Sequence, residues 1–143
     1  MLKLGLDLSL SSIRPQGVWS PDDETSLVAW YQNAVGITLN GSDVSAWADS
    51  SANSYDMVQA TAAEQPAYSG GVLTFVSADD NNLQTAGQIS LTGDFTLGFR
   101  INTSTTNGSF LADNTTANEF FKYGSSSRIL FKIGWIIMVL MAQ

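Results

Sequence analysis

Two residue types are missing altogether: the 143-residue chain has no cysteine and no histidine. Without cysteine, no disulfide can staple the fold and no thiolate can serve as nucleophile or metal ligand. That absence fits synthesis in a reducing cytoplasm. Without histidine, the commonest general base, the Ser-His-Asp and Cys-His arrangements and the commonest zinc ligand are all excluded. Charge is also scarce. Charged residues make up 13% of the chain, about half the usual fraction of a soluble domain. The six basic residues, Lys3, Arg14, Arg100, Lys122, Arg128 and Lys132, are scattered singly against thirteen acidic ones. No basic cluster could neutralise a row of phosphates, so neither nucleic acid nor an anionic membrane is an expected partner. The apolar run "WIIMVLM" near the C-terminus falls far short of the roughly 20 residues that cross a bilayer. The opening "MLKLGLDLSLSS" alternates instead of forming a continuous apolar stretch, and does not read as a signal peptide.

What is there is apolar and uncharged. Hydrophobic residues make up 44% of the chain, and its length suits one domain with a real core. With so little charge, the polar surface has to come from Ser, Thr, Asn and Gln. Such a surface suits a β-protein that hydrogen-bonds to water and sugars, or a chain that turns much of its surface towards neighbouring subunits.

Residues 1–20 read as an N-terminal extended arm. Leu2, Leu4, Leu6, Leu8 and Leu10 alternate with Lys3, Gly5, Asp7 and Ser9, the period of a strand with one apolar face. The arm is either an ordinary edge strand of the domain or a strand that adds to a neighbour's sheet. Ser20, Pro21 and the acids Asp22, Asp23 and Glu24 predict a short helix over about 21–26. "LVAWYQ" then reads as a strand with Trp30 buried. From residue 37 onward short strands and turn signals alternate. Asn40-Gly41 predicts a hairpin turn and Gly70-Gly71 a turn, and "STTNGS" reads as a loop carrying a second Asn-Gly at Asn107-Gly108. "DMVQAT", "QPAYS" and "VLTFVS" read as short extended pieces. "DFTLGFRIN" is the clearest strand, with Phe95, Leu97, Phe99 and Ile101 on one face. "FLADN", "EFFKYG" and "RILFKI" complete a meander. Turns every 8–12 residues or so between short strands are the pattern of an all-β antiparallel sandwich or jelly roll.

Several of these pieces, in order, carry a likeness to a known family. They are Trp47-Ala48-Asp49-Ser50-Ser51 with Asn53, Gln59-Ala60-Thr61, Gln65-Pro66-Ala67-Tyr68, Gly71-Val72-Leu73-Thr74-Phe75, Asp79-Asp80, Leu83 and Asp94-Phe95-Thr96-Leu97. Over residues 27–133 the chain resembles the concanavalin A-like lectin/glucanase domains, in particular laminin-G-like members found in tailed-phage virion proteins. The resemblance implies that residues 21–143 form a two-sheet antiparallel jelly roll. It also implies a structural subunit of a phage particle (capsid decoration, fibre or tail), made in the host cytoplasm, or a carbohydrate-binding module without catalysis. The expected partners are other virion proteins, copies of the same chain and host surface glycans. Glycosidases of the superfamily carry a Glu-x-Asp-x-x-Glu strand motif. This chain has none, and no enzymatic activity is expected. The family domain also continues for several more strands, so the sandwich is expected to be incomplete here and completed by neighbouring chains.

Three groups of residues are candidates for binding or assembly. Trp47, Tyr55 and Tyr68 could stack on a sugar ring while Asp49 and Asn53 bind its hydroxyls. Alternatively, Trp47 belongs to the core and Asp49-Ser50-Ser51 caps a turn. Asp79, Asp80 and Asn81, next to Asn82, place side-chain oxygens together, the donors calcium takes. The same residue types favour solvated turns. Calcium is therefore the one cofactor to consider. Leu4, Leu6 and Leu8 of the arm, with Trp135, Ile136 and Ile137 of the apolar tail, are the expected assembly residues.

Overall fold

The computed structural model describes residues 19–102, 108–113, 118–124, 128–131 and 139–141. Ten strands run through them in two antiparallel sheets, and no α-helix occurs among the described residues. The larger, curled sheet holds β1 (Ile37–Asn40), β2 (Asp43–Trp47), β3 (Met57–Val58), β4 (Ala67–Ser69), β5 (Val72–Thr74), β6 (Asn82–Thr85) and β10 (Val139–Met141). The smaller sheet is a meander of β7 (Gly108–Asp113), β8 (Asn118–Gly124) and β9 (Arg128–Phe131). The all-β reading is therefore correct at the level of class. The assembly residues Leu4, Leu6, Leu8, Trp135, Ile136 and Ile137, and the loop at Asn107, lie outside the described residues.

β2 is the hub of the large sheet. β1 pairs along its whole length on one edge. A strand has two edges, so β3 and β4 share the other, at opposite ends: Trp47 opposes Met57, and Asp43 opposes Ala67. β6 adds beyond β3, β10 beyond β6, and β5 beyond β4. This fork explains the short strands, since β3 and β4 each have only part of one neighbour to pair with. A bulge in the β1–β2 pair sets which side chains face inward. Thr38 opposes Ala46 but Leu39 opposes Val44, leaving Ser45 as the extra residue. Side chains alternate faces with a period of two, and one inserted residue shifts that parity. Val44 and Trp47, three apart, therefore both pack into one apolar cluster with Met57 and Leu83.

That cluster is the main core. Val44, Met57 and Leu83 are fully buried. Burial of each is worth roughly 1.5–3 kcal/mol. Tyr31, Ile37, Trp47, Tyr68, Leu73 and Phe75 pack around them. A second cluster joins Leu111 of β7 to Phe121 of β8, with Leu91, Leu97 and Phe110 against it.

The turns follow their glycines. Gly70 and Gly71 sit at φ 59° and 79° between Ser69 and its partner Val72. Two left-handed residues are what a tight type I′ hairpin needs. In the β1–β2 hairpin, Asn40 pairs with Asp43, so the turn residues are Gly41-Ser42, not the expected Asn40-Gly41. Gly41, at φ 67°, holds the first central position, as in a type II′ turn.

Three expectations need correction. The helix over 21–26 is a single 3-10 turn, Pro21–Asp23, in which the Ser20 N–H donates to Asp23 Oδ2 at 3.1 Å. "LVAWYQ" forms no strand. Its backbone is instead held by the side chains of a distant loop, and Trp30 is only half-buried. "DFTLGFRIN" carries no strand either, despite its alternation. Leu97 packs on the second cluster, and the Phe99 ring stands edge-on to Phe121 at 4.6 Å. The stretch is thus attached by side chains, while its backbone pairs with no strand among the described residues.

Candidate functional site

The polar residues after β2 form a clamp around Asp49. Its Oδ1 accepts from the backbone N–H groups of Trp30 and Ser51, each at 2.8 Å. Its Oδ2 accepts from the Ser51 hydroxyl at 2.7 Å and the Tyr55 N–H at 3.0 Å. Partial burial by itself would raise the pKa of this carboxyl. The hydrogen bonds from Ser51, Trp30 and Tyr55 outweigh it and hold the group below its ordinary value. Asn53 works beside it. Its amide nitrogen donates to the carbonyls of Leu27 and Val28 at 2.8 and 2.9 Å. The Ser50 N–H donates to the Trp30 carbonyl at 2.7 Å. The loop thereby supplies partners to the 27–30 backbone, which has no ladder of its own.

The aromatic candidates are tied into the same corner. Trp47 Nε1 donates to the carbonyls of Gln32 and Val35, both at 3.1 Å, and its ring meets Tyr31 edge-on at 5.7 Å. The Tyr31 hydroxyl donates to the Tyr55 carbonyl. Burial, then the carboxylates of Asp49 and Asp56 and the Tyr55 phenol, raise the Tyr31 pKa above its ordinary value. Trp47 and Tyr68 both pack against the main core cluster, and Tyr55 is half-buried outside it. The five residues expected around a sugar are therefore not one group. Asp49, Asn53 and the Tyr55 backbone meet at the clamp, Trp47 borders it, and Tyr68 lies on the β4–β5 hairpin.

The Asp79 loop is also bound to itself. A 3-10 turn, Ser77–Asp79, ends on Asp80 in the left-handed region at φ 51°. Asn81 is buried, and its Oδ1 accepts from the Val76 N–H at 2.9 Å. Asp79 and Asp80 are exposed. Among the described residues no three acidic side chains come together as a metal site.

One polar group went unrecognised in the sequence. Gln59 is buried. Its Nε2 donates to Asn82 Oδ1 at 2.8 Å and Glu64 Oε2 at 3.1 Å, while its Oε1 accepts from the Thr61 N–H. Gln84 donates to the same Asn82 oxygen. Gln65 donates to the Gln59 carbonyl at 2.7 Å and accepts from Asn40. The available signal was parity. Met57 points inward, so Gln59 falls on the inward face by the same alternation, and a buried amide requires partners. This network ties β1, β3 and β6 together without a charged pair.

Chemically, these groups hold backbone. The Asp49 acceptor positions are filled by donors of the same chain, and the Gln59 amide is satisfied on both atoms. No family model matches the chain, and neither the curated proteins nor the solved structures yield a match. Among the described residues no helix is long and apolar enough to cross a membrane.

Proposed function

We propose that the chain is a non-catalytic structural subunit of a phage particle, acting through contacts with neighbouring subunits. In this reading its two sheets are parts of a concanavalin A-like jelly roll that neighbours complete. The observation that carries the proposal is the apolar surface. Large apolar side chains stand well exposed, Trp19 at 68% and Val72 at 60%, with Leu39, Phe95, Phe99 and Ile101 also exposed, on a chain with little charge. Exposed apolar surface of this kind favours burial against protein. The polar loops support the same reading, because Asp49, Asn53 and Asn81 serve the fold. Carbohydrate binding is the lesser reading for that reason, with Tyr55 and Tyr68 its remaining support.

The test is mass spectrometry of purified particles from the source. Peptides of this chain at many copies per particle are the expected result. Absence from the particle would overturn the proposal and move attention to a free glycan-binding module, to be probed on a glycan array with folded protein.

A further inference from the structure

We propose that Asn40 is a site of spontaneous covalent modification, deamidation through a cyclic imide with Gly41, and that the product loosens the β1–β2 hairpin. The subunit reading above plays no part in it. Asn40 ends β1 and is exposed. Its Cα partner is Asp43, so Gly41 lies in the turn between paired residues and its N–H takes no part in the ladder. A Cβ on Gly41 would meet nothing within 4 Å. The turn therefore stands clear on that side, and nothing there holds it against closing towards the Asn40 side chain. In the first step the Gly41 backbone nitrogen gives its proton to solvent base and attacks Asn40 Cγ. The N–Cγ bond forms, the Cγ–Nδ2 bond breaks, and Nδ2 takes a proton from water and leaves as ammonia. Water then opens the imide at either carbonyl. Opening at Cγ leaves aspartate. Opening at the main-chain carbonyl leaves isoaspartate, with the chain continuing through Cγ. Water is the only co-reactant and nothing is oxidised or reduced.

Asn53, followed by Ser54, is the internal comparison. Its Nδ2 donates to the carbonyls of Leu27 and Val28 at 2.8 and 2.9 Å, and the residue after it carries a side chain. Both features oppose imide closure. Asn40 Nδ2 has one acceptor among the described residues, Gln65 Oε1 at 3.0 Å. That same bond makes the product unfavourable. Gln65 is buried and its Nε2 donates to the Gln59 carbonyl at 2.7 Å, so its amide cannot turn over without breaking this bond. A carboxylate at position 40 therefore meets an acceptor where Asn40 offered a donor. It also stands opposite Asp43 across the β1–β2 pair, and like charges opposed across strands are destabilising. Isoaspartate adds a backbone carbon at the end of β1, and hairpin register depends on the length of the turn.

The test is peptide mapping by mass spectrometry on the folded full chain, held at mildly alkaline pH and sampled over time, folding being checked by circular dichroism. The expected result is conversion of Asn40 to a mixture of aspartate and isoaspartate, ahead of any change at Asn53. An Asn40 that stays intact in the folded chain while a urea-unfolded sample converts overturns the proposal. So does faster conversion at Asn53, or conversion confined to Asn107, the other Asn that precedes a glycine. Asn40→Asp, made directly, tests the consequence in urea titrations. It should shift the folding equilibrium roughly tenfold towards the unfolded chain, the size of one lost donor and one added repulsion. Adding Asp43→Asn should recover part of that shift. An Asn40→Asp chain as stable as the wild type overturns the assigned consequence.

Discussion

At the scale of single residues, the clearest feature is that polar side chains stand in for missing backbone pairing. Asp49 does this with one carboxylate and four donors. Asp49→Asn keeps the shape but turns an NH2 towards N–H groups, so it should cost about 1–3 kcal/mol, measured by urea unfolding at neutral pH. The pH dependence has a definite sign. A carboxyl with a depressed folded pKa stabilises fully above its unfolded value, 3.8 here, and loses that contribution as pH falls through the folded value. Acid should therefore destabilise the wild type below about that pH more steeply than Asp49→Asn. Tyr31 gives the opposite window. Its folded pKa lies above 10.0, so the unfolded chain ionises first and stability falls as pH rises past that value. Tyr31→Phe should flatten this alkaline limb even though it loses the bond to the Tyr55 carbonyl. The comparison is made by thermal unfolding from pH 9 upward.

At the scale of elements, turns and parity decide where strands form. Gly36 and Gly41 both lie at positive φ, but a Cβ on Gly36 would meet the Ala48 Cβ at 2.8 Å, while one on Gly41 meets nothing within 4 Å. Gly41→Ala should therefore cost about 1–2 kcal/mol, the price of left-handed backbone alone, and Gly36→Ala clearly more, as read from paired melting curves. Deleting Ser45 removes the bulge residue and leaves Val44 and Trp47 two apart, so regular alternation keeps both on the core face. The expected result is a retained cooperative transition, followed by tryptophan fluorescence, whereas deleting Ala46 as well leaves the two adjacent, on opposite faces, and should abolish it. These details also show why some elements were legible in the sequence and others were not. The β4–β5 hairpin could be read because two adjacent glycines and flanking alternation are local signals. The 27–32 segment could not, because its conformation is imposed by Asp49 and Asn53, far along the chain, and apolar residues alone look like a strand. The 94–102 stretch misled for the reverse reason: alternation reports which side chains are apolar, whereas a strand also needs a partner backbone. Of the candidate site, the Trp-Ala-Asp-Ser-Ser and Asn53 residues stood out in sequence, but that they grip the backbone of 27–30 is a tertiary fact. The Gln59 network stayed hidden because amides read as surface.

At the scale of the whole molecule, two apolar clusters among the described residues lie in two sheets and share none of those residues. Leu83→Ala should cost about 2–5 kcal/mol and Phe121→Ala about 3–5 kcal/mol. If the clusters are energetically separate, the double variant should equal the sum to within about 0.5 kcal/mol. A larger departure in denaturant titrations would mean that the sheets transmit strain to one another. Among the described residues β10 links them, hydrogen-bonded to β6 and lying beside β7. Its partner β6 is formed by Asn82–Thr85 whereas β10 begins at Val139, so this pairing closes a long stretch of chain for a ladder of only three residues. Such a closure loses much chain entropy for little early return. Time therefore enters the architecture: the hairpins of β1–β2 and β4–β5 can form at once from local contacts, while the union of the two sheets is the slow event of folding, and until it occurs the edge of β6 remains open to any other strand that arrives first.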